Sequence, residues 1–214
     1  QTNPKIVITF IDNSVLFYSV ARVLHKEIYF LAIQNASRYD TLELSDDKAK
    51  KIFIPNFACF GEYEKDMYTS RGANVGAFYP VGSLRESYFR KYLKMQENIS
   101  LRQYDYDICL VSEASPGYDK KYPGLEDAIG EIAQYAIRYC KENNLKLCIA
   151  GKRDFGDPRG GGQTHETESA WYEKYTGNIV KITPRVRDEF TTYNLVNRSR
   201  IALAMLSTSL REGA

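Results

Sequence analysis

The sequence reads DICLVS at 107–112, LEDAIGEIAQYAIRYCKEN at 125–143 and LKLCIA at 145–150. The outer two are short apolar runs of the kind that form strands covered on both faces. Between them Ile129, Ile132, Ala133, Ala136, Ile137 and Cys140 recur at the three- and four-residue spacing of one helical face. A strand, a long amphipathic helix and a second strand make a parallel crossover unit, because parallel neighbours need a connection of about a dozen residues or more.

The rhythm continues toward the C-terminus. A glycine-rich break at Gly156–Gly162 precedes a predicted helix near Thr167–Tyr175, a strand at Ile179–Ile182, a helix near Thr191–Arg198 and a strand at Ile201–Leu206. Toward the N-terminus, Lys5–Ile11 is a β-branched run suited to a strand buried on both faces. Asp12-Asn13-Ser14 can cap a helix whose apolar side carries Leu16, Val20, Val23 and Leu24. Further strands are expected at Glu27–Gln34, around Ile52–Ile54 and at Val75–Val81. Helices are expected at Glu62–Ser70 and at Leu84–Met95, the latter with Tyr88, Phe89 and Tyr92 on one face. The polar stretch 96–106 separates two halves. The expected fold is α/β, with two Rossmann-like, doubly wound units of parallel sheet over residues 1–95 and 96–214, incomplete at both ends.

In such folds ligands sit outside the carboxyl ends of the strands. That rule selects Asp12, Gln34-Asn35, Gly82-Ser83, Ser112-Glu113, Gly151-Lys152-Arg153 and Ser207-Thr208-Ser209. The last group is the most informative. Three hydroxyl residues follow an apolar strand and open a short stretch of good helix formers, Leu210-Arg211-Glu212. Such a corner presents backbone N–H groups and hydroxyls to phosphate oxygens. The same residues serve equally as ordinary caps, with Glu212 completing a capping box with Ser209.

Composition narrows the field. The charge balance, 29 Lys and Arg against 27 Asp and Glu, leaves no basic footprint for nucleic acid. The 4 cysteines have no Cys-x-x-Cys spacing and read as reduced core thiols, and with only 2 histidines no metal site is expected. No run approaches the ~20 apolar residues that span a bilayer. A cytoplasmic protein is expected, with the inner face of the membrane as an alternative location.

With these pieces in order the chain resembles the two-domain nucleotide-sugar glycosyltransferases of the GT-B architecture, and more narrowly the bacterial capsule and lipopolysaccharide biosynthesis proteins. The resemblance is carried by Ile8–Asn13, Ala32–Arg38, Pro80–Ser83 and Leu206–Ala214, and it covers most of the chain. It implies a metal-independent transferase with no cofactor, using a nucleotide-sugar co-substrate of which CMP-linked donors are one subclass. The implied acceptor is a glycan or lipid-linked acceptor, with peripheral contact to a membrane or assembly complex. Residue by residue, it implies that Ser207, Thr208 and Ser209 hold phosphate and that Glu212 accepts from ribose or sugar hydroxyls. Gly82 and Ser83 become a second phosphate or sugar contact. The chain stops soon after the hydroxyl corner, which suggests a piece of a longer protein.

Glycosyl transfer needs a stabilised leaving phosphate and a carboxylate near the reacting carbon. Lys152 and Arg153 are candidates for the first task, and Asp12, then Glu113, for the second. Asp12 serves equally as a helix cap, and Glu113 as a solvated loop carboxylate. Gln34 and Asn35 are candidates to bind acceptor hydroxyls beneath a loop carrying Arg38 and Asp40, although Asn35 can also make an Asx turn. The run Gly160-Gly161-Gly162 reads as a loop rather than a phosphate cradle, and Glu168 and Tyr172 either face the donor or form helix surface. A non-catalytic nucleotide- or sugar-binding module and a nucleotide-sugar epimerase are the alternatives.

Overall fold

Alternating strands and helices do build parallel sheets, but the two halves are wound differently. The computed structural model describes residues 3–38, 44–95, 104–114, 120, 123–155, 164–177, 181–186 and 189–212. The expectations on Asp40 and on the glycine run 160–162 lie outside these. The chain divides into two compact units, Gln1–Lys94 and Met95–Ala214, one residue from the expected boundary.

Unit 1 comprises β1 (Ile6–Thr9), α1 (Val15–Leu24), β2 (Tyr29–Ile33), α2 (Asp46–Ala49), β3 (Phe53–Cys59), α3 (Glu62–Ser70), β4 (Asn74–Pro80) and α4 (Leu84–Met95). Its four strands are all parallel and lie in the order β1-β2-β3-β4. This order never reverses, so unit 1 is not doubly wound. Right-handed crossovers in an unreversed order carry the connecting helices to one face. The register Thr9–Ala32–Phe57–Phe78 runs along the helix-covered face, where Phe57 and Ala32 are fully buried. Truncating Phe57 to Ala there would cost about 3–5 kcal/mol. The neighbouring row Ile8–Leu31–Asn56–Ala77 points the other way, and Ile8 is 60% exposed. The first strand is therefore an edge strand, not one covered on both faces.

Helix α1 corrects a second expectation. Its buried side is Phe17, Tyr18 and Ala21, whereas Leu16, Val20 and Val23 are exposed. Aromatic packing decides this rotation. Phe17 meets Phe30 edge to face with centroids 5.6 Å apart, and the Tyr18 hydroxyl donates to the Asp12 carbonyl at 2.5 Å. Ser14, not Asp12, caps the helix, its Oγ accepting from the Phe17 N–H. On α4 only Phe89 is buried, while Tyr88 and Tyr92 are exposed.

Unit 2 comprises β5 (Tyr106–Val111), α5 (Leu125–Glu142), β6 (Leu147–Ala150), α6 (His165–Thr176), β7 (Ile182–Thr183), α7 (Thr191–Asn197), β8 (Ser199–Leu203) and α8 (Thr208–Glu212). Its strand order is β7-β6-β5-β8, all parallel. Two crossovers step one way from β5, and the chain then returns to place β8 on the other side of it. This half is doubly wound, with a core on each face. Leu110 and Ile149 pack with Ile129 and Ala133 of α5 and with Trp171 and Tyr172 of α6. Cys109, Val111, Cys148 and Ala150 pack with Leu195 of α7 on the opposite side. All four cysteines are free and buried, as expected.

Candidate functional site

The strand order reverses between β5 and β8, and in open parallel sheets that reversal leaves a crevice at the carboxyl ends where ligands bind. Ser112 and Glu113 follow β5 there, Gly151 to Arg153 follow β6, and the hydroxyl triplet lies past β8. The sequence thus brings Ser112, Glu113, Lys152, Arg153 and Ser207–Ser209 to one edge of one sheet.

The anchor of this edge is Glu168, one turn into α6 and 1% exposed. Its carboxylate accepts the Ser112 hydroxyl, the Lys152 N–H at 2.9 Å and the Arg153 N–H at 3.1 Å. Glu168 and Tyr172 therefore neither face a ligand nor form helix surface. Both are buried, and Glu168 fixes the backbone from which the Lys152 and Arg153 side chains extend. Burial pushes the Tyr172 phenol well up, with the Glu168 and Glu113 carboxylates adding to the rise. Only glycine fits at 151, where a Cβ would stand 2.7 Å from the Thr183 carbonyl oxygen.

Glu113 bridges the reversal itself. Its Oε2 accepts the Met205 N–H at 2.6 Å and its Oε1 the Leu206 N–H at 2.7 Å. It is not a solvated loop carboxylate but a clasp between the ends of β5 and β8. Burial raises its pKa, and the two amides and the nearby Lys152 charge pull it partly back. Beyond the clasp, β8 ends at Leu203, three residues before the expected Leu206. The half-buried Ser207 Oγ accepts the Ser209 N–H at 3.3 Å, a local capping contact. Glu212 accepts the Tyr193 hydroxyl, and because α8 begins at Thr208, Ser209 lies inside the helix rather than at the cap position the expected capping box needs.

At the carboxyl edge of unit 1, Asp12 is fully buried. Its Oδ1 accepts Arg38 Nη2 at 2.5 Å and the Asn35 N–H at 3.2 Å, and its Oδ2 accepts the Tyr68 hydroxyl at 3.1 Å. With its oxygens taken from three directions, Asp12 has the setting of a structural hub, and the position expected to act on substrate is closed to it in this state. Burial, with Asp12 alongside, drives the Tyr18 and Tyr68 phenols far above their ordinary range. Gln34 is also internal, its Oε1 accepting the Phe60 N–H and its Nε2 donating to the Ala36 carbonyl. Asn35 accepts from Arg38 Nη2 at 2.7 Å. These residues tie the ends of β1, β2 and β3 together instead of presenting groups to an acceptor. Gly82 takes a φ of +82° that favours glycine, and Ser83 Oγ accepts the Glu86 N–H at the start of α4.

Sequence reasoning missed Tyr18, Tyr68 and the buried Glu64. A signal was available in the spacing. Glu64, Met67 and Tyr68 stand at i, i+3 and i+4, as do Glu168, Trp171 and Tyr172, which places a carboxylate inside each helix's buried stripe. Among the described residues no three His, Cys, Asp or Glu side chains gather as a metal cage, and no helix is long and apolar enough to cross a membrane. Comparison with known protein families, with curated proteins and with solved structures finds no match in any of the three.

Proposed function

We propose that this chain is part of a glycosyltransferase of GT-B type that moves a sugar from a nucleotide-sugar donor to a growing bacterial surface polysaccharide, with unit 2 as the donor-binding half. One observation carries the reading: the strand order of unit 2 reverses at β5/β8, and the residues selected for phosphate binding, Lys152, Arg153 and Ser207–Ser209, follow strands of that sheet at its carboxyl edge. In this reading Lys152 and Arg153 offset charge on the leaving phosphate while the bond from the sugar's anomeric carbon to the phosphate oxygen breaks, the bond to the acceptor oxygen forms, and the acceptor's hydroxyl proton passes to the departing phosphate. The amides and hydroxyls past β8 bind the phosphate oxygens.

A specific observation favours a second reading, a non-catalytic nucleotide- or sugar-binding module. Both candidate catalytic carboxylates, Asp12 and Glu113, are engaged by internal donors. A thermal-shift series with CMP, UDP, GDP and CDP tests the shared premise, since a ligand at about 100 times its Kd adds roughly 2.7 kcal/mol. Silence toward all four rejects the transferase and a nucleotide-binding module, and leaves only a module that binds sugar alone. A responding nucleotide whose sugar conjugate is neither hydrolysed nor transferred, with the acceptors supplied, selects the binding module.

A further inference from the structure

Two consecutive backbone amides close on one carboxylate at the strand reversal of unit 2. The Met205 N–H meets Glu113 Oε2 at 2.6 Å and the Leu206 N–H meets Oε1 at 2.7 Å, one oxygen to each donor. These amides lie in the loop between β8, which ends at Leu203, and α8, which begins at Thr208. Paired N–H donors facing two oxygens of one anion are also how a backbone grips two oxygens of a phosphate. The occupant is half-buried and incompletely compensated: burial pushes its carboxyl up, and the amides and Lys152 only partly reverse that. A phosphate dianion carries more charge and a further oxygen, and it would compete for the same donors. It would also meet the Lys152 charge that Glu113 now senses.

We propose that the Met205–Leu206 amide pair is the phosphate seat of unit 2, and that Glu113 is its internal counter-ion, releasing the amides when a phosphate-bearing ligand arrives. The class of ligand rests on the nucleotide-sugar reading, whereas the location rests on the amide geometry. Glu113 is then neither acid nor base in the reaction. It keeps an anion-binding loop ordered while the seat holds no ligand, and it sets a threshold that weakly held anions do not cross.

The full chain, labelled with nitrogen-15, is titrated with inorganic phosphate and separately with CMP. The expected result is that the Met205 and Leu206 amide resonances move most, and that Glu113→Gln binds phosphate at least tenfold more tightly, having no carboxylate to displace or repel. Equal or weaker binding by Glu113→Gln overturns the proposal. So does a parent titration in which these two amides stay in place, a readout that decides the matter alone should the variant fail to fold. CMP, UDP, GDP or CDP binding without movement of Met205 and Leu206 removes the seat and leaves the donor reading standing. Phosphate at the seat with no nucleotide response removes the donor reading and leaves the seat.

Discussion

Glu168 is the place where the architecture of unit 2 can be broken most sharply by one side chain. Substituting Glu168→Ala removes the acceptor of three buried or half-buried donors, the Ser112 hydroxyl and the Lys152 and Arg153 amides. Each donor left without a partner costs about 1–3 kcal/mol. The Ser112 hydroxyl can turn elsewhere and water can reach part of the gap, so a total of about 3–5 kcal/mol is expected. Glu168→Gln should cost less. If its carbonyl faces Arg153 and its amide donates to a rotated Ser112 hydroxyl, the main loss is the short contact to the Lys152 amide, at about 1–2 kcal/mol. Trp171 is the sole tryptophan and stands three residues further along α6, 5% exposed, so its fluorescence reports the unfolding of this core directly. At roughly 4 °C per kcal/mol for a unit of this size, the Ala variant should lose about 12–20 °C in Tm and the Gln variant about 4–8 °C. An Ala variant within about 1 kcal/mol of the parent, or a Gln variant as damaged as Ala, would refute the account of Glu168 as the acceptor that holds the loop.

Asp12→Ala should destabilise unit 1 by about 3–5 kcal/mol, because it leaves the Arg38 guanidinium buried without its carboxylate. Urea unfolding followed by far-ultraviolet circular dichroism measures this, and adding Arg38→Met should recover part of the loss; strict additivity would argue against the pair. Glu113 is held above its ordinary value of 4.5, so the native state binds more protons than the unfolded chain between that value and the raised one. The Glu113 contribution to stability therefore declines as pH rises through this window, and Glu113→Gln should flatten the slope in thermal melts; an unchanged slope would count against it. All four cysteines are buried, so Ellman's reagent should titrate essentially none in the native chain and all 4 in denaturant. This should hold even though hydrogen bonding from Cys109 pulls the Cys148 thiol down to about 7. Rapid native labelling of Cys148 would show that α7 opens readily.

The sequence made strands and helices legible where burial is two-sided, and misled where it is not. Of the α5 stripe, Ile129, Ala133, Ala136 and Cys140 are buried and Ile132 and Ile137 half-buried, as the spacing predicts, with Ile129, Ile132 and Ala133 packed in one cluster with Leu110 of β5 and Ile149 of β6. Helix α1 defeated the same reasoning. Its outward residues Leu16, Val20 and Val23 are as apolar as its inward ones, so periodicity alone could not choose a face, and the choice fell to Phe17 against Phe30 and Tyr18 against Asp12. Strand β3 extends to Cys59 through Pro55 and Asn56, residues that argue against a strand. Asn56 is accommodated because its amide donates to the Phe30 carbonyl across the sheet. Residues chosen for lying at strand ends do lie there, but Asp12, Gln34, Asn35 and Glu113 make internal contacts that their positions in the sequence do not announce. A buried carboxylate and an exposed one have the same letter in a sequence, and only packing distinguishes Asp12 and Glu168 from a free acid.

Strand order was the quantity least visible in the sequence, and it sets the carboxyl edges of the two units apart. Both units place a glycine just past a strand, Gly61 after β3 and Gly151 after β6. Both also carry a buried Glu-x-x-apolar-Tyr stripe on the helix that follows. The Glu64 carboxylate lies 3.7 Å from where a Cβ on Gly61 would be, and that of Glu168 3.2 Å from where one on Gly151 would be. A glycine beside a buried glutamate thus recurs at a strand-to-helix loop in each half. What differs is winding. In unit 1 each crossover advances in the same direction, so its carboxyl edge has no reversal, and Asp12, Gln34, Asn35 and Arg38 are drawn into contacts that bind adjacent strand ends together. In unit 2 the step from β7 back to β8 separates the loops on either side of the reversal, and the Glu113 side chain spans from the end of β5 to the amides beyond β8. On the proposal above, a ligand reaches the unit 2 amides by displacing the Glu113 side chain, whereas at the edge of unit 1 it would have to break the buried Asp12–Arg38 ion pair and the Asn35 and Tyr68 contacts to Asp12 as well. That difference supports placing the proposed donor site in unit 2, while the contacts of the unit 1 polar cluster hold its strand ends together.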